Sequence, residues 1–159
     1  MTNFCLMVSR YSLTAWVGAA VLFVVTAVQE ATSDQFDSPT LSNLALVRFP
    51  AYYLFGFVLI ALALFFGCLA RNHADVGRRR MRFCLILVAL ALLMMLADYF
   101  WIYSPMRDML AVPTEARPAR FVDLHQASKY VNAVQIGICL LAAAMLNWPG
   151  TSRSNQADG

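Results

Sequence analysis

The sequence predicts an all-α membrane protein, an antiparallel four-transmembrane-helix bundle, and three observations carry that reading. First, four long apolar runs cover about residues 11–28, 49–70, 83–103 and 128–147. Each approaches the ~20 residues a helix needs to cross a bilayer. Second, hydrophobic residues make up 60% of the 159 and charged residues only 13%, about half the ~25% of soluble domains. The mean hydropathy is +0.61. Third, the runs are apolar on all sides rather than alternating. Backbone polar groups must be paired in hydrocarbon, so a spanning run is a helix or a barrel strand. Barrel strands would alternate, which selects helix.

The elements follow in order. Residues 1–10 read as a short tail and 11–28 as the first helix. Arg10 and the apolar stretch ending in Val25-Thr26-Ala27 also fit a cleavable leader, though the run is long for one. Residues 29–47 contain SDQFDSPTLSN, rich in turn formers, and read as a loop, with 41–46 available to extend the second helix. The second helix covers 49–70, with Pro50 tolerated in its first turn. The connection 71–82 is short, which makes helices two and three antiparallel neighbours. The third helix covers 83–103. Residues 104–124, with Pro105, Pro113 and Pro118, form a second loop. The fourth helix covers 125–147, and the polar segment 148–159 reads as a disordered tail.

Charge placement sets the expected orientation. Arg71, Arg78, Arg79, Arg80 and Arg82 crowd one connection against a single acid, Asp75. Arginine-rich short connections stay in the cytoplasm, so both termini are expected there. The four arginines from Arg78 to Arg82 are expected to touch lipid headgroups rather than nucleic acid. Of twelve Lys and Arg residues only Lys129 is lysine, a bias that points to a bacterial source and hence the inner (plasma) membrane. Cys5, Cys68, Cys84 and Cys139 form no C-x-x-C pair, and with His73 they match no zinc spacing. No metal and no cofactor is expected. Small residues that let membrane helices approach recur at Gly56, Ala63 and Gly67, at Ala15, Gly18 and Ala19, and at Ala133 and Gly137. They suit an intramolecular bundle or a homo-oligomer face.

One polar face stands out. His125, Ser128, Asn132, Gln135 and Cys139 are spaced 3, 4, 3 and 4, an arc of about 80° on a helix. Such a face points at other helices or a cavity, not at lipid. Asp98 near the far end of the third run is expected to face it, followed by Tyr99, Phe100, Trp101 and Tyr103. Glu30, Arg48, Tyr52, Tyr53 and Lys129 fall at a similar depth. Asp98, Lys129, Arg48 and Glu30 are candidate ion-pair residues, with Asp98 expected against Lys129 or Arg48. Two readings stay open: polar contacts that set register, or a site for a ligand or ion lined by Asp98, His125, Ser128, Asn132 and Gln135. No catalytic residue is assigned, because Ser128 and His125 lack a third partner.

These motifs resemble the transmembrane protein 205-like family, a four-helix membrane domain. The resemblance rests on Gly18 in the first run, on Phe49, Pro50 and Tyr52, on Trp101 and Pro105, and on Leu124, His125, Ser128 and Asn132. It covers about residues 11–147, departs at Asp98-Tyr99, and implies a membrane protein without an established reaction. The expected function is therefore non-enzymatic binding of a ligand or partner at the polar face. The alternative is a small transporter or channel subunit working as an oligomer. Expected partners are the lipid bilayer and a second copy or another membrane protein.

Overall fold

The computed structural model describes residues 1–72, 76–110 and 118–149. It is built from helix α1 (Thr2–Thr32), α2 (Ser38–Leu69), α3 (Arg78–Ala97), a π-helical turn (Asp98–Tyr103), α4 (Ser104–Leu110) and α5 (Ala119–Asn147). α3, the π turn and α4 run on as one rod, so the chain makes four spans, each long and apolar enough to cross a membrane.

The helices reach beyond the apolar runs. α1 begins at Thr2, so residues 2–10 are not a tail. Leu6 and Ser9 are buried, and Phe4 packs edge-on against Phe66 at the end of α2. The expected loop 29–47 shrinks to residues 33–37. Asp37 caps α2 by accepting a hydrogen bond from the Thr40 backbone N–H at 3.0 Å, with a proline in the first turn. The cap and Pro39 make a helix-start signal, which outweighs the turn-forming composition. Pro50 consequently sits inside α2 rather than in its first turn. A 31-residue helix is about 45 Å long at ~1.5 Å per residue. That exceeds a hydrocarbon core of about 30 Å, so the helix ends reach the headgroup region.

Around the bundle the neighbours are α1 with α2, α2 with α3, α3 with α5, and α5 back to α1. Both helices at each contact point the opposite way, as short connections require. Ser9 donates to the Ala63 carbonyl at 2.8 Å, and Arg10 Nε to the Leu146 carbonyl at 2.8 Å. The start of α1 and the end of α5 therefore lie at one end of the bundle, together with the end of α2 and the arginines of α3. Arg10 is a packed helix residue, not a residue ahead of the helix.

The core follows heptad-like stripes. On α1 the inward residues are Leu6, Ser9, Leu13, Trp16 and Ala20; on α2 they are Tyr53, Gly56, Ile60, Ala63 and Gly67. Trp16 is fully buried and lies against Gly56, where a Cβ would come within 2.6 Å of its ring. The small residues divide. Gly56, Ala63 and Gly67 are at a helix contact as expected, but Ala15, Gly18, Ala133 and Gly137 face outward. Outside, Leu22, Leu54, Ile86, Leu93 and Trp101 are all more than half exposed. At most 33% of the most apolar stretch of any span is buried within the chain. A soluble protein does not leave such a continuous apolar surface bare; lipid covers it.

Candidate functional site

The π turn sets the inner site. The Ser104 N–H bonds to the Tyr99 carbonyl, five residues back. Pro105 follows, has no N–H, and would clash with a carbonyl four residues earlier, so the wider turn accommodates it. Asp98 and Tyr103 are both buried. Five residues on an α-helix would set them about 140° apart; the π turn brings both inward. π turns of this kind are frequent at functional sites.

Asp98 is 2% exposed. The Tyr53 hydroxyl donates to its Oδ2 at 2.5 Å, and the Ser128 hydroxyl reaches the same oxygen at 3.3 Å. Its Oδ1 has no hydrogen-bond partner among the described residues, nor have the Tyr103 hydroxyl and Gln135 Nε2. One turn along α5, the Asn132 side-chain oxygen accepts from the Tyr52 hydroxyl at 2.9 Å. Adjacent tyrosines of α2 thus reach two different helices. Aromatic rings brace them: Phe23 stacks on Tyr52 with centroids 4.4 Å apart, and Tyr103 lies 4.8 Å from Tyr53.

Beside this network lies a groove of about 740 Å³ between the second half of α1 and the first half of α5. Val21, Val24, Val25 and Val28 form its apolar wall; His125, Ser128, Lys129 and Asn132 form the other, with Tyr52 and Phe49 at the floor. The valines are more than 40% exposed, so the groove opens sideways toward lipid. Ser128 belongs to both places, lining the groove and touching Asp98. The expected polar stripe is therefore divided by depth. His125, Ser128 and Asn132 border the groove, whereas Asp98, Gln135 and Cys139 are buried behind it. His125 does not sit at Asp98; its ring stacks on Phe121, 6.0 Å away and 8° from parallel.

The ion pairing differs from the one expected for Asp98. Asp98 pairs with neither Lys129 nor Arg48, because its partners are neutral hydroxyls. Arg48 pairs with Glu30, the only ion pair among the described residues. Its other terminal nitrogen donates to Thr26 Oγ1 at 2.8 Å, and the guanidinium lies 5.3 Å from the Phe23 ring centre. This clamps the end of α1 to α2 beside the groove. Arg78, Arg79 and Arg82 are exposed at the start of α3, and Arg80 is half-buried. Among the described residues no group of three or more His, Cys, Asp or Glu is placed to hold a metal; His73 and Asp75 lie outside them.

The sequence reading missed Trp16, the roles of Tyr52 and Tyr53 as hydroxyl donors, and the π turn. The first two carried a signal. Trp16 falls on the same 3-4 spacing as Ser9, Leu13 and Ala20, and Tyr53 on the spacing of Gly56 and Ile60. The π turn had only Pro105 to announce it.

Four apolar spans, a buried polar network and a lipid-facing exterior define an integral membrane protein, an all-α four-helix bundle. Residues 11–111 match the family described as Domain of unknown function (DUF4149), and the chain belongs to that family. The match covers α1 from residue 11 onward, α2 and the third span, so α5 and its polar face lie beyond it. No curated protein and no solved structure matches the chain.

Proposed function

We propose that this chain is a non-enzymatic membrane protein that binds an amphiphilic, lipid-like ligand in the groove between α1 and α5. The carrying observation is the groove's two-sided lining: valines on one wall, His125, Ser128, Lys129 and Asn132 on the other. An apolar chain entering sideways would lie on the valines. Its polar group would meet hydrogen-bonding side chains and one ammonium, so both parts lose little on leaving the bilayer. Ser128 would report occupancy to Asp98 and the core. In this reading the ligand needs no cofactor and no nucleic acid, and a second copy of the chain is a further partner. By the arginine bias both termini face the cytoplasm, in a bacterial inner membrane, which turns the groove end outward.

The test is native mass spectrometry of protein released from mild detergent. One retained amphiphile per chain is expected, lost in His125→Leu and in a groove-filling Ala133→Trp variant. A chain that carries no added mass, or the same mass in all three proteins, would sink the proposal. A second reading, a channel or transporter subunit, draws on Asp98, since a buried intramembrane acid is a functional candidate. Its test is Asp98-dependent flux in proteoliposomes; flux unchanged in Asp98→Asn would count against it.

A further inference from the structure

At the opposite end of the bundle, α5 stops at Asn147 while α1 and α2 continue. From Arg10, which meets α5 at Leu146, α1 runs on for roughly 12 Å to Thr2 at ~1.5 Å per residue. The step so formed holds a second pocket of about 430 Å³, lined by Asn3, Arg10, Tyr11, Thr14 and Asn147 with Leu6 and Met7. Arg10 lies at its inner corner. Its Nε donates to the Leu146 carbonyl at 2.8 Å, one of the last carbonyls of α5, which lack partners within the helix.

That bond fixes the plane of the guanidinium and uses one of its edges. The edge carrying both terminal nitrogens has no hydrogen-bond or ion-pair partner among the described residues. A planar fork with two parallel N–H donors matches two oxygens of a phosphate. The surroundings favour an anion. The Tyr11 hydroxyl is a further donor at the rim, and no described acid pairs with Arg10. Arg71, Arg78, Arg79 and Arg82 are exposed at the same end. Asn147 is held by bonds from its Nδ2 to the Ala143 carbonyl at 2.8 Å and to Thr14 Oγ1 at 3.4 Å, which keeps the pocket wall in place.

The depth is that of a headgroup. Tyr11 and Trp148 are 71% and 69% exposed beside the step, and outward-facing Tyr and Trp collect at the membrane–water boundary. Capping of α5 accounts for the Nε bond alone; it leaves the terminal edge and the preformed step unused. We infer that this step is a phosphate-binding site, in which the terminal nitrogens of Arg10 clamp a phosphate group borne by a phospholipid or free in solution. It is separate from the α1–α5 groove, so the two proposals stand or fall independently.

The test uses the full chain in mild detergent and native mass spectrometry. Dioleoylphosphatidylglycerol is the probe, dioleoylglycerol the phosphate-free control, and inorganic phosphate the soluble arm. Phosphatidylglycerol is expected to be retained in preference to dioleoylglycerol. Arg10→Gln should lower that retention about tenfold, as fits the loss of a charge-assisted pair. Asn147→Asp, which places a competing carboxylate in the pocket and gives up the two Nδ2 bonds, should lower it similarly. This second variant carries the test if Arg10→Gln does not fold. Arg10-dependent binding of the lipid alone supports a headgroup site; equal Arg10-dependent binding of inorganic phosphate supports a site for a soluble anion. Retention of phosphatidylglycerol unchanged in Asn147→Asp, or equal retention of dioleoylglycerol by the native chain, overturns the inference.

Discussion

Gly56 offers the most quantitative test of the packing that holds the site. A methyl group there would run into Met95 Cε and would lie 2.6 Å from Trp16 Cη2 and 2.8 Å from Trp16 Cζ3. Carbon atoms pack best at about 3.5–4.0 Å, so each of these contacts is short by at least about 0.7 Å, and the Met95 contact by the most. The Met95 tip can swing aside. The Trp16 ring cannot do so easily, because it is fully buried and Tyr52 lies 5.1 Å away from it. Overpacking of this kind costs about 1–3 kcal/mol. Against it stands the gain of about 1 kcal/mol when alanine replaces glycine in a helix. Gly18 separates the two effects, since nothing lies within 4 Å of a Cβ built there. Gly18→Ala receives the helix gain without the clash. Gly56→Ala should therefore be less stable than Gly18→Ala by about 1–3 kcal/mol. The assay is reversible unfolding in mixed micelles followed by circular dichroism. Adding Met95→Ala to Gly56→Ala should relieve the closest contact and give a favourable coupling of at least about 0.5 kcal/mol. Equal stability of the two single variants would refute the packing of Trp16 on α2.

Three further outcomes follow from the polar contacts. Asp98→Ala should cost about 1–3 kcal/mol, because it leaves the Tyr53 and Ser128 hydroxyls buried without their acceptor, and Tyr53→Phe should cost less, about 0.6 kcal/mol, the measured mean for an interhelical bond; the same unfolding assay reads both, and the reverse order would contradict the network. Glu30→Gln should raise amide exchange over residues 26–32 and 44–48, where Arg48 ties α1 to α2, while leaving exchange at Ser9 and Ala63 unchanged; uniform change along α1 would contradict a local clamp. At the start of α2, hydrogen bonds from Thr40 hold the Asp37 carboxyl below the ordinary aspartate value, so the capped helix start is fully favoured above about pH 3.9 and is lost as pH falls through the lowered value. The Thr40 amide resonance should shift with an inflection below that ordinary value and show none in Asp37→Asn; an inflection at or above it would show that the cap does not form.

How much was legible in the sequence depended on which force set each feature. Bilayer hydrophobicity acts on whole runs, so four spans could be read from composition and length. Helix ends answer to single residues instead. Asp37 with Pro39 started α2 eleven residues before the apolar run at residue 49, against composition, and buried Leu6 carried α1 back to Thr2. The polar stripe of α5 was visible as a spacing, because one helix fixes its own angles. Its division into a groove side and a buried side was not, since that depends on where Tyr52 and Tyr53 arrive from α2. Asp98 looked like half of an ion pair because Lys129 and Arg48 share its depth. The π turn points it instead at the Tyr53 hydroxyl, while Glu30 takes Arg48. That turn is set by Pro105 together with the room available inside the bundle, which a one-dimensional pattern does not encode.

The central claim, that the groove between α1 and α5 holds an amphiphile, is tested most directly by crosslinking in the native membrane. A photoreactive amino acid in place of Ala133, which lines the groove and is exposed, would be compared with one in place of Leu54, 66% exposed on α2. Irradiation followed by mass analysis should show one amphiphile strongly enriched on position 133, and the bulk lipid mixture on position 54. The same lipid mixture at both positions would contradict a binding groove.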